Sequence, residues 1–157
     1  MAMQEGMFIN PSVYRELVKP MHKRMVEAIK SQSGAKVLLH TCGSVYSIME
    51  DLIDIGVDAI NPVQVSARDM DPAKLKREFG ARMSFWGAID TQRILPFGTP
   101  QEVRDEVRKM IDCLGAGGGY ILASVHNIQA EVTAENIVAM FEEAKSYRPS
   151  ALPGTNR

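Results

Sequence analysis

Two of the side chains best suited to metal or nucleophilic chemistry fall two residues apart, in His40-Thr41-Cys42-Gly43. On an extended segment residues i and i+2 point the same way, so the His40 imidazole and the Cys42 thiolate can converge on one ion. Zinc accepts mixed nitrogen and sulfur ligands and keeps an open position in catalytic sites. Two ligands do not make a site, and His126 is the candidate for a third. Spacing alone leaves a plainer alternative open, with Cys42 a small buried hydrophobe and His40 a satisfied core histidine.

Other polar residues recur in comparable places. Asn61 and Gln64, then Asp90, then His126 and Asn127 each follow a short apolar run, as His40 and Cys42 do. Carboxyl ends of parallel strands are where α/β folds build their active sites, so four such ends would share one mouth. Asn61 and Gln64 are expected to bind substrate there, while Trp86 either walls the pocket or packs. Cys113 lies between Met110 and Leu114 in a helical run and reads as structural; His22, beside Lys23 and Arg24, reads as solvated. The glycine-rich run 115–119 follows a helix and precedes a strand, the reverse of a phosphate-binding loop. It reads as a helix end and tight turn.

Five amphipathic helical stretches and four apolar runs must position these groups. Asn10-Pro11 opens the first helix, whose Leu17, Met21, Met25 and Ile29 share one face, with a kink expected at Pro20. Ser44, Asp71, Thr99 and Thr133 are the expected caps of the later helices, Thr99 with Glu102 as a capping box. The runs at 37–39, 58–60, 83–86 and 120–122 read as buried strands. Continuous apolar strands alternating with helices imply a parallel sheet covered by helices. The pattern begins with a helix, and 148–157, with two prolines and no apolar period, reads as a disordered tail.

Composition narrows the classes. A net charge of −1 across 157 residues leaves no electrostatic footprint for nucleic acid or an anionic membrane. No apolar run approaches the roughly 20 residues that span a bilayer, and the first six residues lack a signal-peptide layout. Two cysteines argue against a disulfide framework. The expectation is a cytoplasmic α/β protein.

The runs HTCGSVYSIMEDLIDIGVDAINPVQ, DPAKLKREFG, SFWGAIDTQRILPFGTPQEV and GGGYILASVHNIQAEVTAENI, in this order and spacing, resemble the second half of the uroporphyrinogen decarboxylase superfamily. The resemblance covers 6–147 and implies the last four parallel strands, with about five helices, of a TIM-type (β/α)8 barrel. The superfamily includes the haem-biosynthesis decarboxylase and zinc-dependent methyltransferases that exchange methyl groups with corrinoids and thiols. The methyltransferase branch carries a His-x-Cys-Gly segment, matching His40 to Gly43, and a cysteine after the last strand, where this chain has His126. That implies zinc on His40, Cys42 and His126, with a corrinoid as methyl donor and an activated thiol as acceptor. The decarboxylase branch uses no metal and has a histidine that His126 resembles; its aspartate and arginines belong to the first half of the barrel. Asp90, in GAID, matches a family position and either orients a ligand or caps a turn. Both His126 and Asp90 are the catalytic candidates. Uroporphyrinogen III decarboxylation is the alternative activity, and an inactive half-barrel the alternative of another class. Four strands leave two edges and a concave apolar face open, which implies a second copy or a missing N-terminal half as partner, and a homodimer is expected.

Overall fold

The computed structural model describes residues 1–149. A small antiparallel hairpin, β1 (Ala2–Met3) and β2 (Gly6–Met7), comes first. Next come α1 (Pro11–Val13), a π-helical turn over Tyr14–Val18, and α2 (Lys19–Gln32). The parallel sheet then alternates with helices: β3 (Leu38–His40), α3 (Met49–Asp54), β4 (Ala59–Val63), α4 (Pro72–Phe79), β5 (Ser84–Ile89), the short α5 (Ile94–Phe97), α6 (Pro100–Leu114), β6 (Tyr120–Ser124) and α7 (Ala134–Ser146). Strand order is β3-β4-β5-β6, all parallel. No helix among the described residues is long and apolar enough to cross a membrane. The disordered tail expected at 148–157 lies, from residue 150 on, outside the described residues.

Local signals account for most boundaries. Asn10, Asp71 and Thr133 accept from the backbone N–H groups of Ser12, Lys74 and Asn136, and Thr99 with Glu102 completes the capping box. Ser44 does not cap: its backbone N–H goes to Met3 O at 2.9 Å, and a 3-10 turn over Tyr46–Ile48 leads into α3. Residues 11–32 form one unbroken helical run, and at the place where a kink was expected the hydrogen-bond pattern changes: the π turn over Tyr14–Val18 immediately precedes Pro20, which has no N–H to give.

Register assigns the two faces of the sheet. Leu39, Ile60, Phe85 and Tyr120 align across the strands and face the helices, with Ile60 and Phe85 fully buried. Burying each such side chain contributes about 1.5–3 kcal/mol. Leu38, His40, Asn61, Trp86 and Ile121 take the opposite, concave face, where Leu38 is 42% and Ile121 47% exposed. Leu17 in the π turn and Met21, Met25 and Ile29 on α2 form a stripe that is 44–64% exposed, and on α7 Val138 and Phe141 are each 50% exposed. The helix periodicity is therefore present, but among the described residues these side chains stay about half or more uncovered. The architecture is part of an α/β barrel. His22, expected to be solvated, is half-buried against Tyr14, whose hydroxyl lies 3.3 Å from its Nδ1; burial pushes its pKa below the ordinary histidine value.

Candidate functional site

The carboxyl ends of the strands form one open depression of about 510 Å3, lined by His40, Asn61 and the segment 124–128, His126 included. His40 ends one edge strand and His126 follows the other, so the depression spans the whole sheet. Parallel pairing puts His40 beside Asn61 in register. Their side chains meet, Nδ1 of His40 lying 2.6 Å from Oδ1 of Asn61. A carboxamide oxygen only accepts, so Nδ1 carries a proton, and in the neutral imidazole the lone pair is on Nε2. That atom faces Cys42 Sγ at 3.6 Å. A histidine held through one nitrogen with the other presented beside a thiol is how metal-ligating imidazoles are oriented.

The turn that carries Cys42 is held from below and above. Thr41 is buried, and its N–H donates to Asn61 O at 2.7 Å. Gly43, at φ +91°, passes under the N-terminal hairpin; a Cβ there would sit 2.6 Å from Ala2 C. Its N–H donates to Gln64 Oε1 at 2.8 Å, and Gln64 Nε2 donates to Gln4 Oε1 at 2.8 Å. Gln64, expected to bind substrate, thus has its amide engaged within the chain.

Asp90 is 7% exposed and accepts from Gln92 N–H at 2.7 Å, closing the turn after β5. Its backbone oxygen takes the N–H of Leu95. Trp86 is half-buried on the concave face, on the His40 and Asn61 side of the sheet and one strand away from Asn61. Beside His126, the Ser124 hydroxyl donates to the His126 carbonyl at 2.7 Å, fixing the backbone there. Cys113 lies on α6, far from the mouth in the fold order, and burial raises its thiol pKa.

Nitrogen and sulfur from His40 and Cys42 are donor types that zinc takes. His126 stands on the same depression but does not join them: among the described residues no three His, Cys, Asp or Glu side chains are gathered as a metal cluster. One residue of this assembly escaped the sequence pattern. Gln4 sits in the turn between two strands of two residues each, too short to leave any periodicity.

The family model for uroporphyrinogen decarboxylase matches residues 4–147. The chain belongs to the uroporphyrinogen decarboxylase family. It is 27% identical over 135 residues to the uroporphyrinogen decarboxylase of Chlorobium phaeobacteroides, covering 84% of this chain and 37% of that one. It is 28% identical over 132 residues to a methylated-thiol–coenzyme M methyltransferase of Methanosarcina mazei, covering 80% and 33%. Among solved structures, a methyltransferase from Methanosarcina mazei superposes with a TM-score of 0.70 at 20% identity, over 87% of this chain and 37% of that one. This chain therefore spans about a third of the length of the relatives it matches, and the structural likeness supports the fold.

Proposed function

We infer that this chain carries the metal-donor side of a zinc-dependent, methyltransferase-like member of the family, which activates a thiol for methyl transfer from a corrinoid. The observation that carries the reading is the His40 geometry: Asn61 holds Nδ1, and Nε2 is turned to Cys42 Sγ at 3.6 Å. Bound zinc supplies Lewis acidity that lowers the pKa of a coordinated thiol. The chain's own part is to orient His40 through Asn61, to hold Cys42 on a fixed turn, and to offer His126 across the depression as the third ligand. The similarity to a methylated-thiol–coenzyme M methyltransferase supports this branch. The test is zinc content of the purified protein together with Cys42→Ser. About one zinc per complete site, lost on substitution, is expected; metal-free protein and an indifferent Cys42→Ser would refute it.

Uroporphyrinogen III decarboxylation is the second reading, favoured by relatives that carry the decarboxylase name. It needs His126 but neither Cys42 nor metal. Carboxylate loss from uroporphyrinogen by a Cys42→Ser protein would select it.

The exposed α2 stripe and the concave face support a partner that completes the barrel. Of the two partners, a second copy and a complementary N-terminal half, helix count favours the half. Here a helix both precedes the first sheet strand and follows the last, giving α2, α3, α4, α6 and α7 to four strands. A barrel takes one helix per strand. Two copies would bring α7 of one and α2 of the other to a single junction. A complement of four strands joined by three helices fills the ring without that conflict, and the relatives' greater length leaves room for it. Co-expression with the N-terminal part of a relative should give a one-to-one complex on sizing chromatography; a lone chain that is a stable dimer would overturn this choice.

A further inference from the structure

The turn carrying Cys42 is tied to the N-terminal hairpin by a directed chain of amide hydrogen bonds. Gly43 N–H donates to Gln64 Oε1, Gln64 Nε2 to Gln4 Oε1, and Gln4 Nε2 to the Ser66 carbonyl. Both ends of the chain set its direction. The Gly43 N–H can only donate and the Ser66 oxygen can only accept, so each carboxamide between them has one possible orientation. Bonds aligned this way polarise one another and hold better than isolated ones. Backbone contacts run alongside: Ser44 N–H to Met3 O and Arg68 N–H to Gln4 O, each 2.9 Å. Gly43 is buried with the hairpin backbone directly against it, and a side chain there would strike Ala2 and Met3.

The geometry points to Gln4 and Gln64 as positioning residues for Cys42. By fixing the Gly43 peptide, the relay holds the Cys42 side chain against His40 Nε2, so the N-terminal hairpin, and not the barrel strand alone, sets the donor geometry of the pair. Neither glutamine touches sulfur or imidazole; both act through the backbone of the turn. Half-burial of both side chains is consistent with that role, because the amides are satisfied by each other rather than offered to a ligand. The inference rests on the reading of His40 and Cys42 as metal donors.

The experiment uses the full chain as wild type, Gln4→Ala, Gln64→Leu, Gln64→Glu and Cys42→Ser. Thermal melts by circular dichroism first establish that each is folded. Cobalt(II) is titrated in as a zinc substitute, and the sulfur-to-cobalt charge-transfer band reports coordination by Cys42. In parallel, iodoacetamide labelling without metal is quantified on the peptide that carries Cys42. Loss of groups that orient a ligand weakens metal binding about 10–100-fold, and that is the expected loss for Gln64→Leu, with a smaller one for Gln4→Ala. Gln64→Glu keeps an acceptor for Gly43 N–H but loses the donor to Gln4 Oε1, so its loss should resemble that of Gln4→Ala rather than that of Gln64→Leu. Labelling of Cys42 should be fastest in Gln64→Leu, with Gln4→Ala and Gln64→Glu between it and wild type. Folded Gln64→Leu with wild-type affinity and labelling rate overturns the positioning role while leaving the zinc reading intact. A wild-type protein without the charge-transfer band removes the zinc reading instead, and the labelling contrast then decides the relay alone. Should Gln64→Leu not fold, Gln4→Ala carries the same comparison, and unchanged labelling there overturns the inference.

Discussion

Gly43→Ala is the sharpest probe of how the hairpin bears on the site, and Gly117→Ala is its control. Both glycines have positive φ, +91° and +72°, so both substitutions carry the left-handed penalty of about 1–2 kcal/mol. Restricting the unfolded chain returns about 0.4–1 kcal/mol of that. Gly117 has nothing within 4 Å of its would-be Cβ, so Gly117→Ala should cost no more than about 1.6 kcal/mol. At Gly43 the new atom would lie 2.6 Å from Ala2 C and 2.7 Å from the Ala2 and Met3 oxygens. Those are backbone atoms that cannot rotate away, and overpacking of this kind adds about 1–3 kcal/mol. Against it stand the bonds that hold the hairpin down, from Ser44, Arg68 and Gln64 and to Ser66. At about 0.5–1.5 kcal/mol each, they are of the same order as the clash. The hairpin should therefore lift rather than the barrel unfold. Chemical denaturation should place Gly43→Ala about 1–3 kcal/mol below Gly117→Ala, and hydrogen exchange should show protection lost at the Ser44 and Arg68 amides while β5 stays protected. Equal destabilisation by the two substitutions, with Ser44 and Arg68 still protected, would refute the reasoning.

Three further outcomes follow from the fold. Burial pushes the Asp58 carboxyl up, but the Lys30 ammonium, the Val37 N–H and Lys36 outweigh it and bring its pKa down to about 2. Its folded value lies below the unfolded 3.8, so its contribution is whole above about pH 4 and lost as pH falls through 2. With solvent screening that is about 1–2 kcal/mol, and in acid melts Asp58→Asn should flatten this slope between pH 4 and 2. Phe85, fully buried beneath the helices, should cost about 3–5 kcal/mol as Phe85→Ala in urea unfolding; a loss below 1 kcal/mol would mean the sheet and helix layers are not packed as described. Met21→Gln with Met25→Gln, on the exposed stripe of α2, should reduce binding of a hydrophobic dye by the lone chain and weaken assembly with an N-terminal half, leaving its melting temperature nearly unchanged.

Much of the fold was legible because its signals are local. Helix caps at Asn10, Asp71, Thr99 and Thr133 lie within three residues of the N–H groups they serve. Strand β5 was readable from its apolar run, though it extends to Ile89 because pairing with β6 continues through Ser124. The hairpin was not legible: strands of two residues carry no period, and what holds them is contact with residues 43–68, far along the chain. His22 was misplaced for a related reason. Its charged neighbours in sequence point elsewhere on the helix, while Tyr14, eight residues back, covers it.

Residue types and spacing by themselves determined that His40 and Cys42 share one side of an extended segment, and that polar groups follow each strand. Only the tertiary structure decided which atom of His40 faces the sulfur. That depends on Asn61 standing opposite His40 in the β3–β4 register, and register is a relation between strands that spacing along one of them does not contain. The same holds for His126: sequence put it at a strand end, and the order of the sheet put that strand on the far edge. Side chains of two edge strands can approach one another only through the curvature and closure of the whole barrel.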